Sequence, residues 1–143
     1  MIIDRFSGEY RFLSNFYESR VQVFGHMCPT VEHAYQAAKC NKQSDFLGIV
    51  SCQTPGMAKK IGRVVAIRDD WESLKDVIML NLLRQKFLDP ILRAKLLETE
   101  HAQLIEGNTW GDRYWGMCSG SAGKLTGLNK LGQMLMVVRG ECQ

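Results

Sequence analysis

A carboxylate, an amide and an amine recur at helical spacing in the segment that ends at Lys39. Glu32, Gln36 and Lys39 are separated by four and three residues, so on an α-helix they share one side, with Tyr35 beside them. Such groups can move a proton and supply a nucleophilic amine. They can also form an ordinary solvated helix face, and their spacing leaves both interpretations open.

The same segment carries the signals that position these groups on a helix. Thr30 is a suitable N-cap, because its hydroxyl can accept a hydrogen bond from a first-turn amide. Val31, Ala34 and Ala38 recur on a second, apolar side, which predicts packing against a core. We expect the helix to end near Cys40.

A second group of chemically active residues lies in the glycine-rich stretch from 107 to 126. A loop of this length is usually functional or disordered, and its aromatic residues argue against disorder. Trp110 and Trp115 could stack on a base or sugar while Asn108 and Asp112 supply directional hydrogen bonds. The alternative is that the two tryptophans only anchor the loop to the core.

The glycines of residues 127–132 could bring backbone amides close to a phosphate at the start of a helix. A plain turn before a helix explains the same pattern. Asn129 lies within this segment and is the candidate polar side chain there.

The sequence lacks the motifs of several common types of enzyme and binding site. The sequence has no P-loop, no dinucleotide-binding glycine motif and no zinc-protease motif. Glu32-His33 is the only adjacent acid–imidazole pair, and the histidines have no metal-ligand spacing with the cysteines, so we expect neither a metal nor a cofactor. The five cysteines form no Cys-x-x-Cys pair, which favours reduced structural thiols in the cytoplasm.

Length and composition favour one globular domain over residues 1–143. The chain is 45% hydrophobic and 23% charged, with a formal net charge of +3. This charge suits an anionic small ligand but is too mild to indicate a nucleic acid or membrane partner. No apolar run approaches the ~20 residues that span a bilayer.

The predicted elements are mostly helical and do not alternate as a parallel sheet requires. We therefore expect an α+β fold with a small antiparallel sheet packed on several helices. Strands are expected within 9–17, over 20–24 with a partner at 27–28, and over 102–106. Beyond the first helix, further helices are expected over 45–51, 55–62, 71–88, 90–98 and 128–138.

Six ordered blocks of the chain resemble the signature of the NADAR or YbiA-like N-glycosidases. The first two blocks are Phe12-Leu13-Ser14-Asn15-Phe16-Tyr17 and Pro29-Thr30-Val31-Glu32-His33-Ala34-Tyr35-Gln36-Ala37-Ala38-Lys39. The others lie at residues 54–63, at 70–75, at 83–87 with 92–97, and at 112–116 with 127–136. The resemblance implies the fold of that family over nearly the whole chain.

The resemblance also implies hydrolysis of the C–N bond between a ribose and a base. Implied substrates are a ribosylamino-pyrimidine phosphate of riboflavin synthesis or ADP-ribose on guanine, including ADP-ribosylated nucleic acid. Glu32 would be the general acid/base, Lys39 the amine that captures or supports the sugar, and Asp112 a second carboxylate. The implied substrate-binding residues are Asn15, Phe16, His33, Tyr35, Gln36, Lys59, Arg63, Asn108, Trp110, Trp115, Gly116 and Asn129.

Two other functions fit the same residues. A sensor module could bind ADP-ribose or another NAD-derived nucleotide without cleaving it. A repair enzyme could act on ADP-ribosylated DNA or RNA. Turnover separates the enzyme from the sensor, and a footprint on modified oligonucleotide identifies the repair enzyme.

Overall fold

The computed structural model describes all 143 residues, which form two compact units. The central unit comprises residues 15–86, and the terminal unit comprises residues 1–14 and 87–143. The strands are β1 (Ile2–Ile3), β2 (Glu18–Val23), β3 (His26–Thr30), β4 (Gln103–Leu104), β5 (Gly107–Asn108), β6 (Met117–Ser119) and β7 (Leu125–Thr126). The α-helices are α1 (Val31–Ala38), α2 (Gln43–Val50), α3 (Pro55–Gly62), α4 (Trp71–Lys86), α5 (Pro90–Glu98) and α6 (Lys130–Glu141).

The central unit is a β-hairpin packed with four helices, α1 to α4. Strands β2 and β3 pair antiparallel through a turn at Phe24-Gly25, with Val21 opposite Cys28. Helix α1 contacts both strands and also α2, α3 and α4. A helix that contacts neighbours on every side has no solvated face.

Helix α1 is short and entirely buried. Thr30 caps it as expected, because its hydroxyl accepts from His33 N at 3.0 Å. All eight side chains are buried, including Glu32 and Gln36. The solvated interpretation of the Glu32 and Gln36 stripe is therefore wrong. Alanines at positions 34, 37 and 38 allow this burial, since small side chains let neighbouring elements approach closely.

The terminal unit joins the beginning and the end of the chain. Its first pair, β1 with β4, is parallel, and its second sheet has the order β5-β6-β7 with one parallel and one antiparallel pair. Helix α6 packs against β4 and α5. Buried residues on α5, β4 and α6 include Leu92, Leu96, Leu104, Leu131 and Leu135.

The α+β class, the β2–β3 hairpin and all six helices are confirmed. The two parallel pairs were not predicted, because each spans only two residues on each strand and so carries no alternation that a sequence can display. The prediction of a strand within residues 9–17 is wrong: Gly8–Leu13 is a 3-10 helix. Gly8 enters it at φ +59°, a conformation that glycine adopts without steric cost.

The stretch 107–126 holds three short strands as well as irregular backbone. Among the helices, none has both the length and the apolar character required to cross a bilayer.

Candidate functional site

The centre of the candidate site is a pair of buried polar side chains one turn apart on α1. Gln36 Nε2 donates to Glu32 Oε1 at 2.9 Å. The backbone N–H of Glu32 donates to the carbonyl of Asn15 at 3.1 Å, which fixes the segment before β2 against the start of α1. The amide therefore orients the carboxylate, and Asn15 lies beside it.

Lys39 follows the last residue of α1 and completes the predicted set. Burial lowers the pKa of its amine below the ordinary range, and the positive charge of Arg63 lowers it further. The charges of Glu32 and Cys40 act in the opposite direction and raise that pKa. Because the net shift is downward, a larger share of the amine is neutral at a given pH than for a solvated lysine.

Helix α3 approaches this set closely at its last residue, Gly62, which is buried. A methyl group placed there would overlap Gln36 Oε1 and lie 3.2 Å from Lys39 Cε. Gly62 thus lets α3 pack directly against the amide and the lysine side chain. The local sequence predicts only that α3 ends at Gly62, because a contact that joins two helices leaves no signal in the residues around it.

Three buried side-chain oxygens in the central unit have no hydrogen-bond partner: the Ser19 hydroxyl and the two amide oxygens Asn15 Oδ1 and Gln36 Oε1. The only partner of the Asn15 amide nitrogen is the sulfur of Met79, at 3.6 Å, which is a weak acceptor. Buried polar groups normally find partners, so these oxygens are suited to accept from a hydroxyl of a bound molecule or from water.

The central unit also contains an aromatic ring and two further cations that could contact a ligand. Phe16, next to Asn15, is 40% exposed, and Lys59 Nζ lies 5.8 Å from its ring centroid. Arg63 is exposed at the end of α3. The central unit thus brings together an acid, an amine, two amides, a ring and two further cations.

Two residues predicted to bind substrate have structural contacts instead. His33 is fully buried and uses both ring nitrogens: Nε2 donates to the Cys52 carbonyl at 2.9 Å, so Nδ1 accepts from the Thr30 hydroxyl at 2.7 Å. Tyr35 is buried with its ring centroid 5.1 Å from that of Trp71. These contacts give no support to a binding role for either side chain.

In the terminal unit, Asn108 and Asp112 organise the β5–β6 loop. Asn108 Oδ1 accepts from Asp112 N at 3.0 Å, and Asn108 Nδ2 donates to Asp112 O at 2.9 Å. Asp112 Oδ1 accepts from the backbone N–H groups of Tyr114 and Trp115. The catalytic role of Asp112 and the binding role of Asn108 and Trp115 stay predictions.

Asn129 and Gly116 also hold the backbone together. Asn129 is buried in the left-handed region, where its side chain accepts from Glu106 N at 3.0 Å and donates to Leu104 O at 2.9 Å. A side chain at Gly116 would overlap the Glu106 carbonyl. Their predicted contact with substrate has no support from this geometry.

The fold and the site define a small α+β protein with an acid on a buried helix and an amine at the C-cap of that helix. The chain belongs to the NADAR domain family, whose family model matches residues 4–143.

Named relatives extend this comparison. The chain is 39% identical over 136 residues to N-glycosidase YbiA of Escherichia coli (strain K12), covering 93% of this chain and 82% of that protein. It is 35% identical over 138 residues to N-glycosidase Npun_R5314 of Nostoc punctiforme, covering 92% and 85% of the two chains.

A third relative, a riboflavin biosynthesis protein of Vibrio vulnificus, is 33% identical over 135 residues, which cover 92% of this chain but 35% of that protein. The NMR structure of E. coli YbiA matches 99% of this chain and 83% of its own with a TM-score of 0.80 at 37% identity.

Proposed function

We propose that this protein is an N-glycosidase that hydrolyses the C–N bond between ribose and a base. The substrate is a ribosylamine: a ribosylamino-pyrimidine phosphate of the kind made in riboflavin synthesis, or guanine that carries ADP-ribose. Two of the three relatives described above are named N-glycosidases, and the third is named a riboflavin biosynthesis protein. These names favour the enzyme over the non-catalytic sensor module.

The observation that carries the proposal is the Glu32 carboxylate on the buried helix α1 together with the Lys39 amine at the C-cap of that helix. The lowered pKa of Lys39 favours the neutral form, which is the nucleophilic form of an amine. The Glu32 charge acts on Lys39, so the two groups are coupled electrostatically. Glu32 is buried and Lys39 is partly buried, and reduced access of water strengthens the electrostatic effect of such groups on a reacting group.

The reaction proceeds by amine exchange at the anomeric carbon. In a ring-opened ribosylamine, C1′ is an imine carbon, and the lone pair of neutral Lys39 Nζ adds to it while the π pair of the C=N bond moves to the base nitrogen, which takes up a proton. Nζ then loses a proton, which frees a lone pair. This pair forms a C1′=N bond to the enzyme as the C1′–N bond to the base breaks, and the electron pair of the broken bond leaves with the base, which takes up a second proton. Water adds to C1′, releases the sugar as an aldehyde and restores the amine.

Glu32 moves the protons in this scheme. As an acid it protonates the leaving nitrogen, and as a carboxylate it takes a proton from the attacking water. Gln36 donates a 2.9 Å hydrogen bond to one carboxylate oxygen of Glu32, and this bond orients the carboxyl group. Removing Gln36 would therefore affect catalysis through Glu32, so Gln36 is a positioning residue as well as a binding candidate.

The remaining groups bind the substrate. The acceptor oxygens of Asn15 and Gln36 receive ribose hydroxyls, because both are buried without a hydrogen-bond partner. The positively charged side chains of Lys59 and Arg63 bind the phosphate of the substrate. Phe16, which is partly exposed beside Lys59, packs on the base.

The test is a hydrolysis screen of the full chain with a ribosylamino-pyrimidine phosphate and with ADP-ribosylated guanosine. We expect release of base and sugar phosphate from one of them. Lys39→Ala and Glu32→Gln should each lower kcat by about 100-fold or more, while Lys60→Ala, an exposed lysine on α3, should not. A Lys39→Ala protein with the full rate would remove the amine from the mechanism. Saturable binding of ADP-ribose without product from either substrate would support the sensor module instead.

A further inference from the structure

The terminal unit contains a cavity of its own, with a volume of about 460 Å³. One wall is the segment Asp4–Ser7, which follows β1, and another is the segment Gly107–Trp110. Residues of β6, β7 and the turn between them complete the lining. This volume lies in the range of pockets that hold a nucleotide-sized ligand, roughly 300–1,000 Å³.

Close backbone packing forms the junction between the first two walls. A side chain at Gly107 would overlap the carbonyl oxygen of Asp4, so the segment after β1 lies directly against β5. Ile105 N donates to the carbonyl of Ile3 at 2.8 Å just before this junction. The cavity is therefore built on paired backbone.

Trp110 gives the cavity a flat aromatic surface. Its side chain is 57% exposed although it lines the cavity. The two hydrogen bonds between Asn108 and Asp112 close the loop on either side of it, and Gly111 makes the turn at φ +88°. A large ring held at the surface by a closed loop is suited to stack on a planar ligand.

The polar groups around the cavity fit a nucleoside phosphate. The Arg5 guanidinium can pair with a phosphate. Asp4, Ser7, Thr109 and Ser119 are also lining residues, and a carboxylate and hydroxyls can bind ribose hydroxyls or an exocyclic amine of a base. A purely apolar ligand would leave these groups without partners.

We propose that this cavity is a nucleotide-binding site of the terminal unit, with the base stacked on Trp110 and the phosphate at Arg5. The resemblance implies a substrate-binding role for two of its lining residues, Asn108 and Trp110. The site includes neither Glu32 nor Lys39, so it stands whether or not the protein is an N-glycosidase.

The test is calorimetric titration of the full chain with adenosine 5′-monophosphate and, in parallel, with ribose 5-phosphate. Adenosine 5′-monophosphate should bind, and Trp110→Ala should weaken its binding about tenfold or more, as expected for loss of an aromatic stacking partner. Trp110→Phe should keep most of the affinity. Phe24→Ala is the matched control, because Phe24 lies in the central unit and is 56% exposed. Arg5→Gln should weaken binding, whereas Arg20→Gln should not.

The outcomes separate this site from the Glu32–Lys39 site. Binding that survives Lys39→Ala and is weakened by Trp110→Ala supports the proposal. Binding lost in Lys39→Ala but unchanged in Trp110→Ala overturns it, as does no binding of adenosine 5′-monophosphate to the unaltered chain. Equal affinity for ribose 5-phosphate would also overturn it, since the base would then contribute nothing. Circular dichroism shows whether Trp110→Ala is folded, and Trp110→Phe together with Arg5→Gln tests the site if it is not.

Discussion

The protonation of Lys39 depends on competing influences that act on one amine. Burial and Arg63 disfavour the charged form, while Glu32 and Cys40 favour it. Lys39 must be neutral to attack C1′, so these neighbours determine the pH range in which the proposed reaction runs. Removing a charged neighbour shifts the pKa of Lys39, and with it the pH dependence of the reaction. The sign of the removed charge determines the direction of the shift.

Replacing Arg63 tests this dependence at the residue scale. Arg63 lowers the pKa of Lys39, so Arg63→Gln should raise that pKa and move the acid limb of the kcat/KM profile to higher pH. We expect a shift of about 0.5 unit, typical of one partly solvated charge. Arg20→Gln, which changes an exposed arginine on β2, is the control for net charge. A shift to lower pH would contradict the assignment of the acid limb to Lys39.

Helical spacing was enough to predict that Glu32 and Gln36 lie one turn apart on the same side of α1. It could not predict that Glu32 and Gln36 are buried, because burial depends on elements far away in the sequence. His33 shows the same limit: its partner is the carbonyl of Cys52, nineteen residues later. Nothing in the types or spacing of neighbouring residues distinguishes this buried histidine from a ligand-binding one.

At the scale of elements, the site depends on the contact between α1 and α3. Gly62 ends α3 against Gln36 and Lys39. Its lack of a side chain sets how closely the two helices approach. A side chain there would have to displace the amide that holds Glu32.

Two glycine-to-alanine changes distinguish the effect of the α1–α3 contact from the general effect of alanine on helix stability. Gly62→Ala should lower both the free energy of unfolding and kcat, because its methyl group overlaps Gln36 Oε1 and core overpacking costs roughly 1–3 kcal/mol. Gly48→Ala on α2 has nothing within 4 Å and should stabilise the protein by about 0.5–1 kcal/mol without changing kcat. Urea unfolding and steady-state kinetics measure both effects. Full activity in Gly62→Ala would show that the α1–α3 contact does not position the site.

Helices that begin with a clear N-cap residue were predictable from the sequence. Helix α3 begins after Thr54, whose side chain accepts from Met57 N, and α5 begins after Asp89, whose side chain caps it. The 3-10 helix Gly8–Leu13 has no side-chain cap hydrogen bond, and its mixture of aromatic and polar residues suggested a strand. The two-residue parallel strands depend on pairing between distant segments, which local patterns do not encode.

For the whole molecule, buried ionisable groups make the free energy of unfolding depend on pH. Lys86, at the end of α4, is only 1% exposed, and burial lowers its pKa to about 7. In the unfolded chain the amine keeps its ordinary pKa, 10.5. Between these values the unfolded chain binds a proton that the folded chain lacks, so stability rises with pH.

Lys86→Met should remove this dependence. From pH 7 to pH 9 we expect the unaltered protein to gain about 2 kcal/mol of unfolding free energy from this lysine. Lys86→Met should be more stable at pH 7 and show a flatter profile. Above pH 9 the thiols of Cys28 and Cys40, whose pKa values burial raises to about 11, act in the opposite direction. Urea unfolding at each pH measures the profile.

The control for this prediction is Lys42→Met, which changes an exposed lysine and should keep the slope. An unchanged slope in Lys86→Met would show that Lys86 is charged in the folded protein at pH 7.

Reduction of a reacting mixture with borohydride, followed by peptide mass spectrometry, tests the central role of Lys39 most directly. The reagent converts an imine between C1′ and a lysine into a stable secondary amine. The mechanism predicts that the peptide containing Lys39 gains the mass of the reduced sugar phosphate, and that Lys39→Ala gives no adduct at any lysine. An unmodified Lys39 in a mixture that is turning over substrate, together with undiminished hydrolysis by Lys39→Ala, would contradict it.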